Sequence, residues 1–313
     1  MRISSSTFTN NFLNQSQQLQ QQLNTLQEQS ASGLKVSLPE DNPAVMAQVL
    51  NLQTTSAANS QYQSNITQLQ SAATTSATAM NSLQTIVSQV NEIATEASSG
   101  TNSSTQLSGY ATQLASLIQQ AVQLGNTQDA NGNYIFSGTD SGAEPFVATT
   151  DASGNVSSVS YQGNTSVAAY DIGPSTTVSV QVPGENSSGS GAEGLFADSR
   201  TGADLFSHMI ALQQDLTSGD TSAISATDAP ALSNDEDNII TQISGNGVMQ
   251  SALSVAGNIA TAQSTTLGTQ ISGDTSADLA QPLTELDQPQ TAYQAALESG
   301  SKVMNLSLLN FLQ

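Results

Sequence analysis

The sequence has no cysteine and no tryptophan, and aromatic residues make up only 4% of its 313 residues. Without cysteine the chain can form neither a disulfide framework nor a zinc-thiolate site, and it has no thiolate nucleophile. It also has no run of 18 apolar residues, so we expect no membrane insertion. The first residues lack the apolar segment and the small-residue cleavage site of a signal peptide, which argues against secretion with a cleaved signal.

Charge is scarce and strongly unbalanced. Charged residues are 9% of the chain, whereas about 25% is usual for a globular domain. Four basic residues stand against 25 acidic ones, which gives a formal net charge of -21. Such a surface repels phosphate backbones and anionic headgroups, so we expect no nucleic-acid partner.

The sequence gives little support for catalysis. His208 is the only histidine, and without cysteine, a second histidine or a spaced set of carboxylates it is predicted to be structural. The acidic residues Glu40-Asp41 and Asp235 to Asp237 stand at predicted helix starts, where capping explains them better than acid/base chemistry. We therefore predict no catalytic residue, no metal ligand and no cofactor, with a weak calcium site in the acidic loops left open.

Helical periodicity dominates the first 125 residues. Pro43, after Glu40-Asp41-Asn42, predicts the start of a long helix. Apolar stripes from Tyr62 to Ala97 and from Leu107 to Leu124 predict two antiparallel helices joined by a short loop. Before them, an N-terminal stripe has heptad steps at Phe8, Phe12, Leu19, Leu23 and Leu26.

The apolar period changes to two after the turn dipeptide Asn131-Gly132. Short runs rich in valine and tyrosine, separated by glycine-containing turns, predict a small antiparallel β domain from Ser137 to about Val182. The Gly/Ser-rich segment from Pro183 to Glu193 is predicted to be a linker with little to pack.

Helical spacing returns with Leu205 to Leu216. A loose polar loop is predicted to extend to Leu232, and Ser233 with Glu236 predicts a capping box at the start of the next helix. The end of the chain carries a second heptad stripe at Leu279, Leu283, Leu286, Tyr293, Leu297, Met304, Leu308 and Phe311. Pro289 costs about 3 kcal/mol in an ordinary helix interior, which predicts a kink or a helix start near Asp287.

The two terminal stripes are narrow and flanked by Gln-rich faces, so each needs a partner helix. We predict that they pair with each other or with copies of the chain and order on assembly. The predicted assembly interface consists of Phe8, Phe12, Leu19, Leu23, Leu26, Tyr293, Leu297, Met304, Leu308 and Phe311.

The predicted fold is mainly α with an inserted β domain, in which both termini contribute to a long antiparallel helical rod or coiled coil. We expect a terminal coiled-coil domain (1-40 and 275-313), a helical rod domain (41-136 and 197-274) and an outer β domain with its Gly/Ser linker (137-196).

Several segments resemble the flagellin superfamily and, within it, the proteins of the hook-filament junction. They are MRISSSTF at the start, SGLKVSLPEDNPAVMAQ from Ser32, SQYQSNITQLQ from Ser60, NTQDANGNYIFSGT from Asn126, and LSLLNFLQ at the end. The GNYIFSG segment, Gly132 to Gly138, is the more discriminating one, because it resembles the junction proteins where flagellins usually diverge. The β region and Arg200 to Ile271 match in layout only, and the near absence of Lys and Arg puts family salt bridges between subunits in doubt.

The resemblance implies a non-enzymatic, extracellular structural protein of the bacterial flagellum, exported by the flagellar type III apparatus. It implies a ring of copies of the chain between the other hook-associated protein and flagellin, and an export chaperone at the C-terminal helix. A filament flagellin is the nearest alternative, and a surface-exposed adhesive or glycan-binding module is the alternative from a different class.

Overall fold

The computed structural model describes the backbone of residues 5–311 and the side chains of residue 7 and of residues 10–302. The chain is mainly helical, with short strands in its middle, as predicted. The helices are α1 (Ser5–Ser32), α2 (Pro43–Ala97), α3 (Ser104–Gly125), α4 (Leu205–Ser218), α5 (Thr221–Ala223), α6 (Ala229–Thr275) and α7 (Ala280–Phe311), with a π-helical turn at Ile224–Asp228 between α5 and α6. The strands are β1 (Phe146–Thr150), β2 (Val156–Tyr161), β3 (Tyr170–Gly173), β4 (Thr176–Val178), β5 (Glu185–Asn186), β6 (Ala197–Asp198) and β7 (Ala203–Asp204).

Two helix starts follow the predicted local chemistry. The side chain of Asn42 accepts a hydrogen bond from the Val45 amide at 3.2 Å, and Pro43 opens α2. Ser103 and Gln106 form a reciprocal capping box at the start of α3, which satisfies two amide donors that the helix cannot pair internally. The connection between α2 and α3 is short, as predicted, because α2 ends at Ala97 and α3 begins at Ser104.

The chain divides into two compact units. Unit 1 consists of the residues up to Ala58 together with those from Ala262 onward, and unit 2 is Asn59–Thr261. The division falls within α2 and within α6. The three-domain boundaries expected from the sequence stay a prediction.

Unit 2 is built around one large apolar core that joins helices and strands. Helix α3 packs against α4, and both contact the β1–β2 hairpin. Four phenylalanines connect them: the ring of Phe146 lies 4.7 Å from that of Phe196 and 5.3 Å from that of Phe206, and Phe136 meets Phe196 edge-on at 5.9 Å. Aromatic pairs at these separations add to the stability gained from burial.

A second, smaller core lies where α2 packs against α6 inside unit 2. Its buried side chains are Ile66, Leu69, Ala73, Ile172, Val180, Leu253 and Ala260. The side chains of Asn59 and Gln63 both donate to the carbonyl oxygen of Ala260, at 2.8 and 2.9 Å. Hydrogen bonds from neutral side-chain amides therefore link α2 to α6, a role that ion pairs often have in more highly charged proteins.

The strands form three small sheets. β1–β2 and β3–β4 are antiparallel pairs, as predicted, whereas the third sheet has the order β5-β6-β7 with β5 and β6 parallel. In this third sheet the buried Asp198 carboxylate is held by Arg200, at 2.6 Å from its Nη2 atom. The hydrogen bond from Arg200 lowers the pKa of Asp198 to about 2.

The predicted linker from Pro183 to Glu193 is wrong. Gly184 lies against the Phe146 ring, so closely that a Cβ there would come within 2.5 Å of the ring. The buried Asn186 side chain donates to the carbonyls of Ser190 and Ala192 at 2.8 and 2.7 Å. The segment is therefore ordered by tight packing at Gly184 and by the Asn186 side chain, which holds the exposed Gly/Ser turn.

The predicted loop before Leu232 and the predicted capping box at Ser233 are also wrong. Asp220 caps α5, and the helical path continues through the π-helical turn into α6, which begins at Ala229. Glu236 therefore lies inside a helix, and its carboxylate accepts hydrogen bonds from Ser88 and Asn91 of α2 at 3.0 and 2.6 Å. The buried Ile224 and Leu232 hold this segment in the core of unit 2.

Helix α7 runs from Ala280 to Phe311 with Pro289 inside it, so a new helix start near Asp287 is wrong. Pro282 lies in its first turn, where a missing N–H removes no internal hydrogen bond. The kink expected at Pro289 stays a prediction. Within residues 5–311, none of the helices has the length and apolar character needed to cross a membrane.

Candidate functional site

The candidate site is the pair of terminal helices in unit 1. Phe12 of α1 lies against Gly300 of α7, so closely that a Cβ at position 300 would clash with the phenyl ring. Further along, residues 18–29 of α1 lie beside residues 285–292 of α7. Since numbering rises along α1 while it falls along α7, the two helices are antiparallel.

Backbone hydrogen bonds fix the end of the pair at Gly33 and Thr275. The amide of Lys35 donates to the carbonyl of Thr275 at 2.7 Å, and the amide of Ala277 donates to that of Gly33 at 2.8 Å. Gly33 has a φ of +70°, a left-handed conformation that suits glycine. The segment that follows α1 is therefore hydrogen-bonded to the segment that joins α6 to α7.

Two side chains reinforce this end of unit 1. The Lys35 ammonium donates to the Gly273 carbonyl at 3.0 Å, and the Gln48 amide donates to the Asp274 carboxylate at 3.0 Å. These contacts join positions more than 200 residues apart, so no local sequence pattern indicates them. The one residue that could have pointed to them is Lys35, because it is one of only four cations in the chain.

A groove of about 800 Å³ follows the two helices. Glutamine side chains make up much of its walls, and Leu19, Leu26 and Pro289 supply apolar surface. Uncharged amides can both donate and accept hydrogen bonds, and Glu285 adds one carboxylate to the lining, so the groove is polar with a single acidic group.

Large apolar side chains of unit 1 stay exposed. Leu13, Leu283 and Leu297 have exposed fractions of 50%, 59% and 46%. Among the described residues, the two hydrophobic cores contain no member of unit 1. Two paired helices leave part of each apolar stripe in water, because a pair can cover only one side of each helix.

The predicted interface residues are thus placed as follows. Leu23 is buried, Phe12, Leu19, Leu26 and Tyr293 are half-buried, and Leu297 is exposed. The side chains of Phe8, Met304, Leu308 and Phe311 lie outside the residues whose side chains the structure describes. The structure brings the described members together on two adjacent helices, and their role in assembly stays a prediction.

The single histidine, half-buried in unit 2, pairs with the buried carboxylate of Asp235. Nδ1 of His208 lies 2.8 Å from the Asp235 carboxylate, which also accepts from the Asp204 amide at 2.9 Å. The hydrogen bond to Asp235 raises the pKa of His208. In the part of the chain with described side chains, no serine or threonine hydroxyl is hydrogen-bonded to this imidazole. The pair ties α4 to α6 and supports the predicted structural role.

Acidic residues were also considered as metal ligands. Within the described residues, no group of three or more His, Asp or Glu side chains is placed to hold a metal ion. The capping role predicted for Asp41 is wrong: its carboxylate accepts from the amides of Ser37 and Leu38 at 2.9 Å each and holds the turn before α2, whose start is capped by Asn42. These two backbone hydrogen bonds lower the pKa of Asp41.

Comparison with protein families supports the resemblance noted in the sequence. Residues 3–141 match the bacterial flagellin N-terminal helical region. No curated protein matches the chain significantly.

Solved structures with the same fold come from several bacteria. The structure assigned to a flagellar hook-associated protein from Vibrio parahaemolyticus has a TM-score of 0.63 and 21% identity, covering 76% of this chain and all of that one (100%). FlgL from Xanthomonas campestris has a TM-score of 0.59 and 16% identity, and the match covers 71% of this chain and 99% of that one. Flagellar hook-associated protein 3 from Legionella pneumophila has a TM-score of 0.53 and 16% identity, and the match covers 77% of this chain and 99% of that one. The fold is shared, at low sequence identity.

Proposed function

We propose that this chain, which combines a flagellin N-terminal region with the fold of FlgL, is a structural component of the bacterial flagellum. In this proposal it forms the junction ring between the other hook-associated protein and the filament. The observation that carries the proposal is the antiparallel pair of terminal helices, whose apolar stripes are only partly covered within one chain.

Assembly in this proposal completes the burial that unit 1 leaves unfinished. Terminal helices of neighbouring copies cover the exposed leucines, and each large apolar side chain contributes about 1.5 to 3 kcal/mol when it becomes fully buried. A few such side chains per subunit give an interface that forms in a ring and stays weak between isolated chains, because association itself costs free energy.

The proposed partners are copies of the chain, the other hook-associated protein and flagellin. We assign the protein to the outside of the cell, exported unfolded by the flagellar type III apparatus, with an export chaperone at the C-terminal helix. A chain without disulfides is suited to a narrow export channel. The proposed role is non-enzymatic.

Deleting residues 303–313 tests the role of the terminal helices. The deletion removes Met304, Leu308 and Phe311, so the truncated chain should keep the helical content of unit 2 but fail to enter flagella. A matched variant, Asn305→Gln with Asn310→Gln, keeps these apolar residues and should assemble normally. Normal incorporation of the truncated chain into flagella, judged by immunogold labelling, would refute the proposal.

A filament flagellin is the second candidate, since residues 3–141 match a region named for flagellin. Imaging of a strain that lacks the gene separates the two. If the chain is a junction protein, its loss leaves hooks without filaments, while flagellin is still secreted into the medium. Loss of the filament protein itself from the medium would favour the flagellin assignment.

A further inference from the structure

The chain contains two Asn-Gly dipeptides, and the structure places them in opposite surroundings. Asn131-Gly132 lies in a turn between α3 and β1, and both of its residues are exposed. Asn246-Gly247 lies in the interior of α6, where Asn246 is 6% exposed and its side-chain oxygen accepts a hydrogen bond from the Gln250 amide at 2.6 Å. We call the first the exposed dipeptide and the second the helical dipeptide.

An Asn-Gly dipeptide can lose its side-chain amide without an enzyme. The backbone nitrogen of the glycine attacks the Cγ atom of the asparagine and forms a C–N bond, and the side-chain nitrogen leaves as ammonia with the proton of the glycine amide. Water then opens the cyclic imide at either carbonyl, which gives aspartate or isoaspartate. Glycine favours the attack because it has no Cβ in the way and because its backbone reaches conformations that other residues avoid.

The attack requires the glycine nitrogen to leave its own hydrogen bond. The Gly132 amide donates to the Asp129 carbonyl at 3.1 Å, and a bond of this kind in an exposed turn opens by local fluctuation. The Gly247 amide belongs to the hydrogen-bond ladder of α6. Ile239 and Leu253, on either side of it in the helix, are completely buried. Reaction at the helical dipeptide therefore requires unfolding of a packed helix.

A second turn in unit 2 has the same design with serine in place of asparagine. It joins β1 to β2, and there the Asp151 carboxylate accepts from the amides of Ser153 and Asn155 at 2.8 and 3.0 Å. Gly154 has a φ of +86°, and its amide donates to the Asp151 carbonyl at 3.1 Å. We call this the Asp151 turn.

The turn of the exposed dipeptide repeats these bonds at the same spacing. The Asp129 carboxylate accepts from the amides of Asn131 and Asn133 at 2.8 and 3.0 Å, and Gly132 has a φ of +83°. Since Ser153 holds the equivalent position in the Asp151 turn, the backbone geometry does not require an asparagine at position 131. The reactive side chain can therefore be removed without changing the turn.

We propose that Asn131 is a site of spontaneous deamidation, converted through a cyclic imide to aspartate and isoaspartate, while Asn246 is preserved. Isoaspartate adds a methylene carbon to the backbone between the two amides that the Asp129 carboxylate binds, which disturbs their spacing. Either product adds a negative charge beside Asp129, in a chain that already has a net charge of -21. The reaction needs water alone and is independent of the junction function.

Peptide mapping of the purified full-length chain, kept in mildly alkaline buffer at physiological temperature, tests this. Mass spectrometry measures the conversion of each asparagine to the acid, and labelling with an isoaspartate methyltransferase measures isoaspartate. We expect conversion at Asn131 to be at least about tenfold faster than at Asn246, which corresponds to a barrier lower by about 1.4 kcal/mol. The rate should rise with pH, because the deprotonated backbone nitrogen is the attacking group.

Two controls separate the effect of the fold from that of the dipeptide. In concentrated guanidinium chloride the two dipeptides should react at similar rates, because neither is then held by structure. Asn131→Ser should remove the isoaspartate of the folded chain and keep the wild-type circular dichroism spectrum and melting temperature, because the Asp151 turn already has serine at this position.

Three results would overturn the proposal. The first is an Asn131 that stays unmodified in the folded chain over a time in which the denatured chain is converted. The second is equal conversion of Asn131 and Asn246 in the folded chain, and the third is isoaspartate that Asn131→Ser leaves unchanged. The measurement uses the purified chain without flagella, so its failure and that of the junction function are distinguishable.

Discussion

Unit 2 and unit 1 are both made of long helices, yet they differ in how they use apolar residues. In unit 2, Leu114, Met209 and Leu212 are completely buried in a core that also receives four phenylalanine rings. In unit 1, Leu13 and Leu283 remain half or more exposed, and Leu23 is among the few apolar side chains that are buried. One unit completes its core within the chain, and the other leaves large apolar side chains exposed.

The difference follows from the number of elements that meet in each unit. Unit 2 surrounds its core with helices and small sheets, so most of its large apolar side chains are buried. In unit 1 the main pairing is α1 with α7, and two helices can bury only a narrow strip. Contiguous exposed apolar surface often binds other proteins, which is the role proposed above for unit 1.

The largest expected effect comes from one substitution made in both units. Leu212→Ala removes a fully buried side chain (0% exposed) and should lower the free energy of unfolding by about 2 to 5 kcal/mol. Leu283→Ala removes one that is 59% exposed and should cost less than about 0.5 kcal/mol. Denaturant unfolding followed by circular dichroism measures both. Similar losses would mean that the two units do not differ as described.

A second prediction concerns the charge that unit 2 buries. Asp228 ends the π-helical turn, is 4% exposed, and has a carboxylate oxygen, Oδ2, without a hydrogen-bond partner among the described residues. Burial, with the nearby Asp215 adding to it, raises its pKa to about 6. The folded protein therefore holds this proton more tightly than the unfolded chain does.

The sign of the pH effect follows from that shift. Since the folded pKa lies above the unfolded value of about 4, stability should fall as pH rises from about 4 to about 6 and then level off. Asp228→Asn should remove this loss and stabilise the protein by up to about 3 kcal/mol at pH 8, with little gain at pH 4. Thermal unfolding at both pH values checks it, with the exposed Asp171→Asn as control. An equal gain at both pH values would contradict it.

A smaller effect is expected inside unit 1. Gly300→Ala places a methyl group against the Phe12 ring and should destabilise the α1–α7 pair by about 1 to 3 kcal/mol, as overpacking does. Gly268→Ala, in a helical position of the same unit with nothing within 4 Å, should instead stabilise by about 0.5 to 1 kcal/mol.

Hydrogen exchange of the α1 amides measures both glycine variants. Combining Gly300→Ala with Phe12→Leu should restore part of the lost protection, because the smaller side chain makes room for the methyl group. Two results would show that the Phe12–Gly300 contact does not hold the pair together. One is faster exchange after both glycine substitutions, and the other is an exchange rate that neither substitution changes.

Much of the helical architecture could be predicted because its signals are local. Asn42 and Pro43 define a helix start, Ser103 and Gln106 define another, and the stripe from Tyr62 to Ala97 has a period that only a helix fits. Each of these features depends on residues within a few positions of one another. Local hydrogen bonds and steric limits are the same in any fold, so such predictions transfer to the structure.

The predictions that failed depended on distant contacts. Pro183 to Glu193 has the composition of a linker, yet Gly184 is small because the Phe146 ring occupies the space beside it. Ser233 and Glu236 have the spacing of a capping box, yet Glu236 binds Ser88 and Asn91, almost 150 residues earlier in the chain. Short-range patterns carry no information about such partners.

The candidate site was foreseen in part. The heptad stripes identified the two terminal helices, and the structure places Phe12 of one against Gly300 of the other. The fastening of Lys35 and Gln48 to Gly273 and Asp274 was not foreseen. The exposure of Val248, Val255 and Ile259 on α6 was not foreseen either, because it depends on which other faces of α6 are packed.

The sequence by itself determined the helical class, the apolar stripes at both ends, the neutral polar surface and the resemblance to flagellins, all of which follow from residue types and their spacing. Only the tertiary structure decided which stripes are covered and which remain open. Burial depends on how many elements converge on a given face, and that number is a property of the folded chain. Large apolar side chains are therefore half-buried on α1, as at Leu19 and Leu26, and exposed on α6, as at Val255 and Ile259.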